Sequence, residues 1–247
     1  MSGRRENVNK DLVFIGGLVV IAAALIAYLL IRPGDDAVSA APTTGPSVTS
    51  LSDAEAAGGS LDGRRPPVER RQAGDPLALG ATDAAVALVV FSDYRCPFCA
   101  KFSRDIEPEL VKRYVDAGQL RIEWRDFPIF GPQSMSAARA GRAAAEQGKF
   151  WEFNRAVYAA APERSKADLT DAALIEYARE AGVPDIGRFT AGLRGNTFDA
   201  AINADLARGT AIGVPSTPAF LINDVPMLGA QPTEEFVRAI DAALAAR

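Results

Sequence analysis

In this chain of 247 amino acids, the residues whose type and spacing point most directly to chemistry are Cys96 and Cys99. They are its only cysteines. With only Pro97 and Phe98 between them, the sulfurs can close into a disulfide or open into two thiols without backbone rearrangement. The absence of histidine excludes imidazole bases and Cys/His nucleophile pairs. Two cysteines also fall short of the four ligands of a structural zinc ion. We therefore predict a redox-active dithiol that uses neither a metal nor another cofactor.

The segments around the cysteines predict where the pair lies in the fold. The apolar, β-branched run Val86–Phe91 is typical of a buried strand. A helix is expected to begin at Cys96 or Pro97, because an apolar stripe at helical spacing follows. We expect Pro108 to kink this helix rather than divide it, since the apolar face resumes without a loop.

A position at a helix amino terminus predicts different roles for the two sulfurs. Unpaired backbone N–H groups and the helix dipole favour a thiolate at Cys96, so its pKa is expected at roughly 3.5–7.5 rather than ~8.5. Cys99, one turn further in, is expected to be more buried and to act as the resolving thiol. A purely structural disulfide is the alternative, but a bridge around two residues removes little entropy from the unfolded chain. Pro97 and Phe98 border the thiolate and are expected to tune its redox potential.

The elements that must position this pair follow one another along the chain. Leu120–Phe127 alternates apolar and charged residues, which predicts a strand, and residues 132–209 are predicted to be helical. Two short strands, Ala219–Ile222 and Val225–Leu228, and an amphipathic helix from Thr233 are expected to follow. The aromatic residues of the helical block are expected to form hydrophobic core rather than a ligand-binding patch: Phe150, Trp151, Phe153 and Tyr158.

The amino-terminal part of the chain predicts a membrane anchor. Residues 12–31 carry no charge and as a helix would span about 30 Å, the thickness of the hydrocarbon core of a bilayer. We predict one transmembrane helix there. Because basic residues lie mainly before it, residues 1–11 are expected in the cytoplasm and the rest of the chain outside. A signal peptide cleaved near Val38-Ser39-Ala40 is the alternative, and it also exports the domain.

Residues 32–82 are rich in Pro, Gly, Ala, Ser and Thr and lack hydrophobic periodicity, which predicts a flexible linker. Its basic cluster is expected to be solvated, with contact to anionic lipid as the alternative: Arg64, Arg65, Arg70 and Arg71. The folded domain is then expected over residues 83–247. A net charge of −4 and the lack of a basic block beside aromatic residues argue against nucleic acid as a partner.

Four stretches resemble the DsbA-like branch of the thioredoxin superfamily, and the resemblance covers about residues 77–247. They are Phe91-Ser-Asp-Tyr-Arg-Cys-Pro-Phe-Cys99, Arg125-Asp-Phe-Pro-Ile-Phe130, Gly148-Lys-Phe-Trp-Glu-Phe153 and Gly213-Val-Pro-Ser-Thr-Pro-Ala-Phe220. The resemblance implies an α/β thioredoxin fold, a mixed sheet flanked by helices, with a helical insertion at about residues 132–209. It also implies that Thr217 and Pro218 form a cis-proline loop that faces the cysteines and binds substrate.

The chain departs from the family pattern near the cysteines. Members often carry a buried carboxylate six residues before the first cysteine, where this chain has Val90. Asp93, three residues later, or a water is the candidate to handle the proton of Cys99 instead. Phe98 stands where the most oxidising members have a histidine, so we expect a milder oxidant.

The resemblance implies a thiol-disulfide oxidoreductase, and the predicted export favours an oxidase that donates the Cys96–Cys99 disulfide to the thiols of exported proteins. The family suggests a quinone-linked membrane protein as the reoxidising partner. One alternative is a reductase or isomerase in which the same dithiol is kept reduced. Another is a non-enzymatic chaperone module in which the groove around Phe98 and Pro218 holds unfolded peptide.

Overall fold

The protein, described by a computed structural model over residues 67–246, is built on a five-stranded mixed sheet. The strands are β1 (Ala78–Leu79), β2 (Val86–Ser92), β3 (Leu120–Asp126), β4 (Ala219–Ile222) and β5 (Val225–Leu228), in the spatial order β1-β3-β2-β4-β5. The central strands β2 and β3 are parallel, and the other neighbouring pairs are antiparallel. The sheet is therefore mixed, as the resemblance implies.

Strand β2 lies at the centre of the sheet and ends directly before the cysteines. All seven of its residues are buried, which is why its sequence is an almost unbroken apolar run. It pairs with β3 from Val86 opposite Leu120 to Ser92 opposite Asp126. The carboxyl ends of both parallel strands thus lie at the same edge of the sheet, where the cysteine segment begins.

The helix after β2 runs continuously through residues 97–115 and is called the cysteine helix below. It comprises α1 (Pro97–Lys101), a wider π-helical turn (Phe102–Ile106), α2 (Glu107–Leu110) and a second π-helical turn (Val111–Val115). Pro108 lies in the first turn of α2, directly after the first π-helical turn. The prediction of one helix that passes through Pro108 is confirmed.

Five helices separate β3 from β4, and a final helix follows β5. They are α3 (Pro132–Ala145), α4 (Phe150–Ala159), α5 (Asp171–Glu180), α6 (Ile186–Arg194), α7 (Asp199–Ala211) and the final α8 (Thr233–Ala245). The predicted helical insertion is confirmed. Its aromatic residues are buried in one continuous core, so they are packing residues as expected: Phe150, Trp151, Phe153 and Tyr158.

The predicted boundary between linker and domain at residue 82 is wrong, because residues 67–82 pack on β3. Strand β1 pairs with Ile122 and Glu123. The main-chain N–H groups of Arg70 and Arg71 donate to the Glu123 carboxylate at 2.7 and 2.8 Å. Arg70 and Arg71 are therefore not part of a solvated cluster. The charged residues that alternate along β3 are buried, and the segment before β1 contributes hydrogen bonds to them.

Three predictions concern residues outside those that the structure describes. They are the cytoplasmic residues 1–11, the transmembrane helix at residues 12–31, and linker residues 32–66 with Arg64 and Arg65. Within residues 67–246, no helix is both long and apolar enough to cross a membrane.

Candidate active site

The cysteines lie where β2 gives way to the cysteine helix. The main-chain N–H of Cys96 donates to the Asp93 carbonyl at 3.0 Å, which closes the turn between strand and helix. Cys96 caps the helix with an extended backbone, and Pro97 occupies its first turn. Both cysteines are free and buried, with 3% of Cys96 and 1% of Cys99 exposed, whereas Phe98 between them is 59% exposed. The site therefore presents an aromatic ring to solvent beside a nearly covered thiol.

Hydrogen bonding to the sulfur lowers the pKa of Cys96 to about 6. The largest contribution is the thiol of Cys99, and Thr217 and the backbone N–H groups of Phe98 and Cys99 add to it against the opposing effect of burial. With this pKa, about nine tenths of Cys96 is thiolate at pH 7. The value lies within the range expected for a cysteine at a helix amino terminus, which favours Cys96 as the nucleophilic sulfur.

Burial raises the pKa of Cys99 well above its ordinary value, and the neighbouring Cys96 sulfur raises it further. Cys99 is therefore a neutral thiol that donates to the Cys96 thiolate. This asymmetry favours the predicted roles, in which Cys96 attacks and Cys99 keeps its proton until it resolves a mixed disulfide; the roles themselves stay a prediction.

The loop before β4 faces Cys96 from the opposite side. In its protonated form the Cys96 thiol donates to the Thr217 carbonyl at 3.3 Å, across 121 positions of sequence. The peptide bond between Thr217 and Pro218 is cis, as the resemblance implies. Thr217 Oγ1 is buried without a hydrogen-bond partner, so its hydroxyl is available to the Cys96 sulfur. The structure thus brings Thr217 and Pro218 to the cysteine motif, Cys96-Pro97-Phe98-Cys99.

The Asp93 carboxylate does not face the cysteines. Its Oδ2 accepts from the main-chain N–H groups of Ile129 and Phe130 at 2.8 and 3.1 Å, and its Oδ1 accepts from that of Arg95 at 2.8 Å. Burial raises the pKa of this carboxyl group despite these hydrogen bonds. What reaches Cys99 from residue 93 is its backbone. Asp93 therefore braces the loop after β3 and does not take the place of the family carboxylate.

Most of the chain is similar in sequence to a known protein family. The sequence profile of the thioredoxin family matches residues 72–242. The chain belongs to the thioredoxin family. Its start at residue 72 agrees with the structured segment before β1 and disagrees with the predicted domain boundary at residue 83.

Relatives place this thioredoxin-family protein within the DsbA-like branch. Disulfide bond formation protein D of Bacillus subtilis is 27% identical over 153 residues, which is 61% of this chain and 68% of that protein. The crystal structure of oxidised BdbD from Bacillus subtilis has a TM-score of 0.65 at 25% identity and covers 70% of this chain and 94% of that one. A thioredoxin-like oxidoreductase from Silicibacter pomeroyi has a TM-score of 0.59 at 29% identity, over 70% and 98% of the two chains.

The protein is a DsbA-like thiol-disulfide oxidoreductase, and Cys96 and Cys99 form its Cys-x-x-Cys motif. This outcome sets aside the interpretation of the domain as a non-enzymatic chaperone module.

Arg95 is a residue of this thioredoxin-family site that the sequence did not reveal. Its guanidinium donates to the Phe130 carbonyl at 2.7 Å and to the Ala167 carbonyl at 2.9 Å. It thereby ties the turn before Cys96 to the loop after β3 and to the helical insertion. A charged residue next to the cysteine was the only local signal, and it did not indicate two partners this distant along the chain.

A cavity of about 500 Å³ opens beside the cysteine motif. Pro97 and Phe98 form its apolar wall, and the remaining lining residues are charged: Lys101, Arg104, Asp105, Glu163 and Arg164. Arg104 also donates to the Tyr158 carbonyl at 2.6 Å, which joins the cysteine helix to α4. The surface next to the nucleophile therefore combines an exposed aromatic ring with charges of both signs.

Proposed function

We propose that this oxidoreductase acts as an oxidase that donates its Cys96–Cys99 disulfide to the thiols of exported proteins. The proposal is carried by the position of Cys96 at the helix amino terminus and across from Thr217, where hydrogen bonding to the sulfur lowers its pKa to about 6. Stabilising the Cys96 thiolate stabilises the reduced dithiol relative to the disulfide, so the disulfide becomes a stronger oxidant. This preference supports transfer of the disulfide from the protein to substrate thiols.

The exchange proceeds in two displacements, the first at the Cys96 sulfur and the second at the substrate sulfur bonded to it. A substrate thiolate attacks the Cys96 sulfur, the Cys96–Cys99 bond breaks, and its electron pair stays on Cys99. A second substrate thiolate then attacks the substrate sulfur of the mixed disulfide, and Cys96 leaves as a thiolate. The substrate gains one disulfide, and the protein is left with two reduced sulfurs.

We propose that substrate binds over Phe98 and along the loop of Thr217 and Pro218. Phe98 is exposed beside Cys96, and an apolar ring there suits an unfolded chain that has not yet buried its own apolar residues. The Thr217–Pro218 loop stands across from the same sulfur. Pro97 and Phe98 tune the potential, and because Phe98 brings neither charge nor a strong hydrogen bond, we propose an oxidant milder than members with histidine at this position.

The proposed setting is the outer face of a cell membrane, with residues 12–31 as a single anchor, residues 1–11 in the cytoplasm and the catalytic domain outside. Export after signal cleavage serves the same chemistry. The proposal is supported by the relatedness to a disulfide bond formation protein and by the persistence of disulfides outside the cytoplasm. A quinone-linked membrane protein is the proposed reoxidising partner.

The test is the redox state of Cys96 and Cys99 in intact cells that express the full chain, trapped by acid quenching and alkylation. The oxidase proposal expects mostly disulfide. A mostly reduced pair would overturn it in favour of a reductase. The Cys99→Ala variant serves as the control for labelling, because its single sulfur has no partner with which to form the internal disulfide.

A further inference from the structure

Two buried hydroxyl groups, those of Ser92 and Tyr158, meet at the base of the cysteine motif. Ser92 is the last residue of β2 and is 3% exposed, and Tyr158 in α4 is 1% exposed. Their oxygens lie 2.9 Å apart. Tyr158 Oη is also 3.1 Å from the Asp93 carbonyl, which accepts the N–H of Cys96 as well. The pair is therefore tied to the turn that carries both cysteines.

The number of hydroxyl protons determines which oxygen donates in each of these hydrogen bonds. The Asp93 carbonyl can only accept, so the single hydroxyl proton of Tyr158 is donated to it. The Ser92 hydroxyl then donates to Tyr158 Oη, which leaves the oxygen lone pairs of Ser92 available. Hydrogen bonding with the Ser92 side chain lowers the pKa of Cys99 and so favours its thiolate. The carboxylate that often serves this proton in the family is missing, because Val90 holds its position and Asp93 faces the other way.

We propose that Ser92, held by Tyr158, is the hydrogen-bond donor that stabilises the Cys99 thiolate whenever Cys99 leaves or attacks. While Cys99 is a neutral thiol, its proton is donated to the Cys96 thiolate. Once Cys99 carries the negative charge, the Ser92 hydroxyl turns from Tyr158 Oη to donate to it. Tyr158 is a positioning residue: its hydroxyl supports Ser92 in both orientations and does not contact the reacting sulfurs itself.

The role follows from the electron count of the exchange and rests on the thiol-disulfide chemistry stated above. When a thiolate attacks Cys96 of the oxidised protein, a sulfur–sulfur bond forms at Cys96 and the Cys96–Cys99 bond breaks. The electron pair goes to Cys99, whose negative charge then develops in a buried position. A hydroxyl group that donates to Cys99 stabilises this transition state more than the resting protein, because hydrogen bonds to charged groups are stronger than those to neutral groups. Cys99 afterwards takes a proton from water.

The test is the rate at which dithiothreitol reduces the oxidised full-length protein, purified in mild detergent. Ser92→Ala is expected to slow this attack at least about tenfold, the loss of one hydrogen bond to a developing charge. Tyr158→Phe is expected to slow it less, about threefold, because Ser92 keeps its own hydroxyl. The double variant is expected to be no slower than Ser92→Ala alone, since Tyr158 acts through Ser92.

Three readouts separate this role from loss of packing. Forward and reverse rates are expected to fall together, so the equilibrium constant with glutathione stays within about threefold of the parent. In a Cys99→Ala background, Ser92→Ala is expected to leave the attack of Cys96 on an aromatic disulfide unchanged. Ser103→Ala is the matched control, because it removes a buried hydroxyl of the cysteine helix that is bonded to Asn154 at 3.4 Å.

The proposal is overturned if Ser92→Ala is reduced by dithiothreitol at the parental rate, or if Ser103→Ala loses as much of that rate as Ser92→Ala. It is also overturned if Ser92→Ala slows the attack of Cys96 on the aromatic disulfide in the Cys99→Ala background. If Ser92→Ala does not fold, Tyr158→Phe decides: a parental reduction rate in that variant rejects the proposal. None of these results bears on the direction of transfer in cells, so a failure here is distinguishable from a failure of the oxidase proposal.

Discussion

At the scale of single residues, the reactivity of the site depends on the environment of the Cys96 sulfur. The thiol of Cys99 donates to it, and Thr217 lies across from it with a buried hydroxyl that has no other partner. The identity of the nucleophile was predictable, because a helix start is a local pattern. The contact with Thr217 depends on two segments 121 positions apart, and the sequence indicated it only through the family resemblance.

The Thr217 hydroxyl yields a first prediction. Thr217→Val is expected to raise the pKa of Cys96 by about one unit, because a hydrogen bond to the thiolate is lost. The measurement is the pH dependence of iodoacetamide alkylation of the reduced full-length protein. Thr190→Val is the control, since Thr190 Oγ1 donates to the Ile186 carbonyl in α6. An unchanged alkylation profile in Thr217→Val would show that the hydroxyl does not reach the sulfur.

The low pKa of Cys96 also predicts how the stability of the reduced protein depends on pH. The folded pKa is about 6, below the ~8.5 of an unfolded cysteine, so the thiolate stabilises the reduced fold most above pH 8.5. This contribution is lost as the pH falls towards 6. The melting temperature of the reduced protein is expected to drop relative to that of the oxidised protein between pH 8.5 and 6. A difference that stays constant over this range contradicts the assignment of the thiolate.

At the scale of elements, the cysteine helix carries an ionisable group that the redox chemistry does not use. Glu107 is 3% exposed, and its Oε1 has no hydrogen-bond partner. Arg155 lies 3.7 Å away, within ion-pair distance but too far for a hydrogen bond. Burial raises the pKa of Glu107 to about 7, with Arg155 opposing the shift. The ionised Glu107 carboxylate therefore lowers the free energy of unfolding at neutral pH and above.

Glu107→Gln is expected to stabilise the protein at pH 8 and to have little effect at pH 4.5. The pKa of Glu107 is raised in the folded state, so its contribution to stability is present below about 4.5 and is lost as the pH rises through 7. A gain of about 2 kcal/mol corresponds to roughly 4–8 °C in melting temperature for a domain of this size. Melting curves at the two pH values test this. An equal shift at both would assign the effect to packing instead of charge.

The strands show which elements could be predicted from sequence. Ala219–Ile222 and Val225–Leu228 have the predicted bounds, because turn residues and short apolar runs define them locally. The burial of Glu123 was not predictable, since its four hydrogen-bond donors come partly from a segment about 50 residues away. These donors outweigh the effect of burial and lower the pKa of Glu123 to about 2.

The segment before β1 yields a prediction about where the domain begins. A chain that starts at residue 83 is expected to melt at least about 5 °C below one that starts at residue 67. The shorter chain loses β1 and the main-chain N–H groups of Arg70 and Arg71, which donate to the buried Glu123 carboxylate. Each hydrogen bond to a charged group contributes roughly 1.5–3 kcal/mol to stability. Equal melting temperatures would restore the boundary that the composition suggested.

At the scale of the whole molecule, the fold brings distant segments to one edge of the sheet. Strand β2 delivers the cysteines, the loop before β4 places Thr217 against Cys96, and α4 places Tyr158 beneath the motif. The order of elements made this fold predictable once the family resemblance was noticed. The buried polar contacts of Ser92, Arg95 and Glu123 were not predictable, because each joins segments that have no shared local pattern.

The proposed oxidase passes its disulfide to substrate through Cys96. The most direct measurement mixes the oxidised full-length protein with a reduced, unfolded two-cysteine polypeptide and follows both by alkylation and mass spectrometry. The parent is expected to transfer its disulfide to the two-cysteine polypeptide. Cys99→Ala, preloaded at Cys96 with an aromatic thiol and mixed with a one-cysteine version of the polypeptide, is expected to accumulate a mixed disulfide to the substrate at Cys96. A Cys96→Ala variant that still oxidises the substrate, or a mixed disulfide found at Cys99 in the parent, would contradict the account.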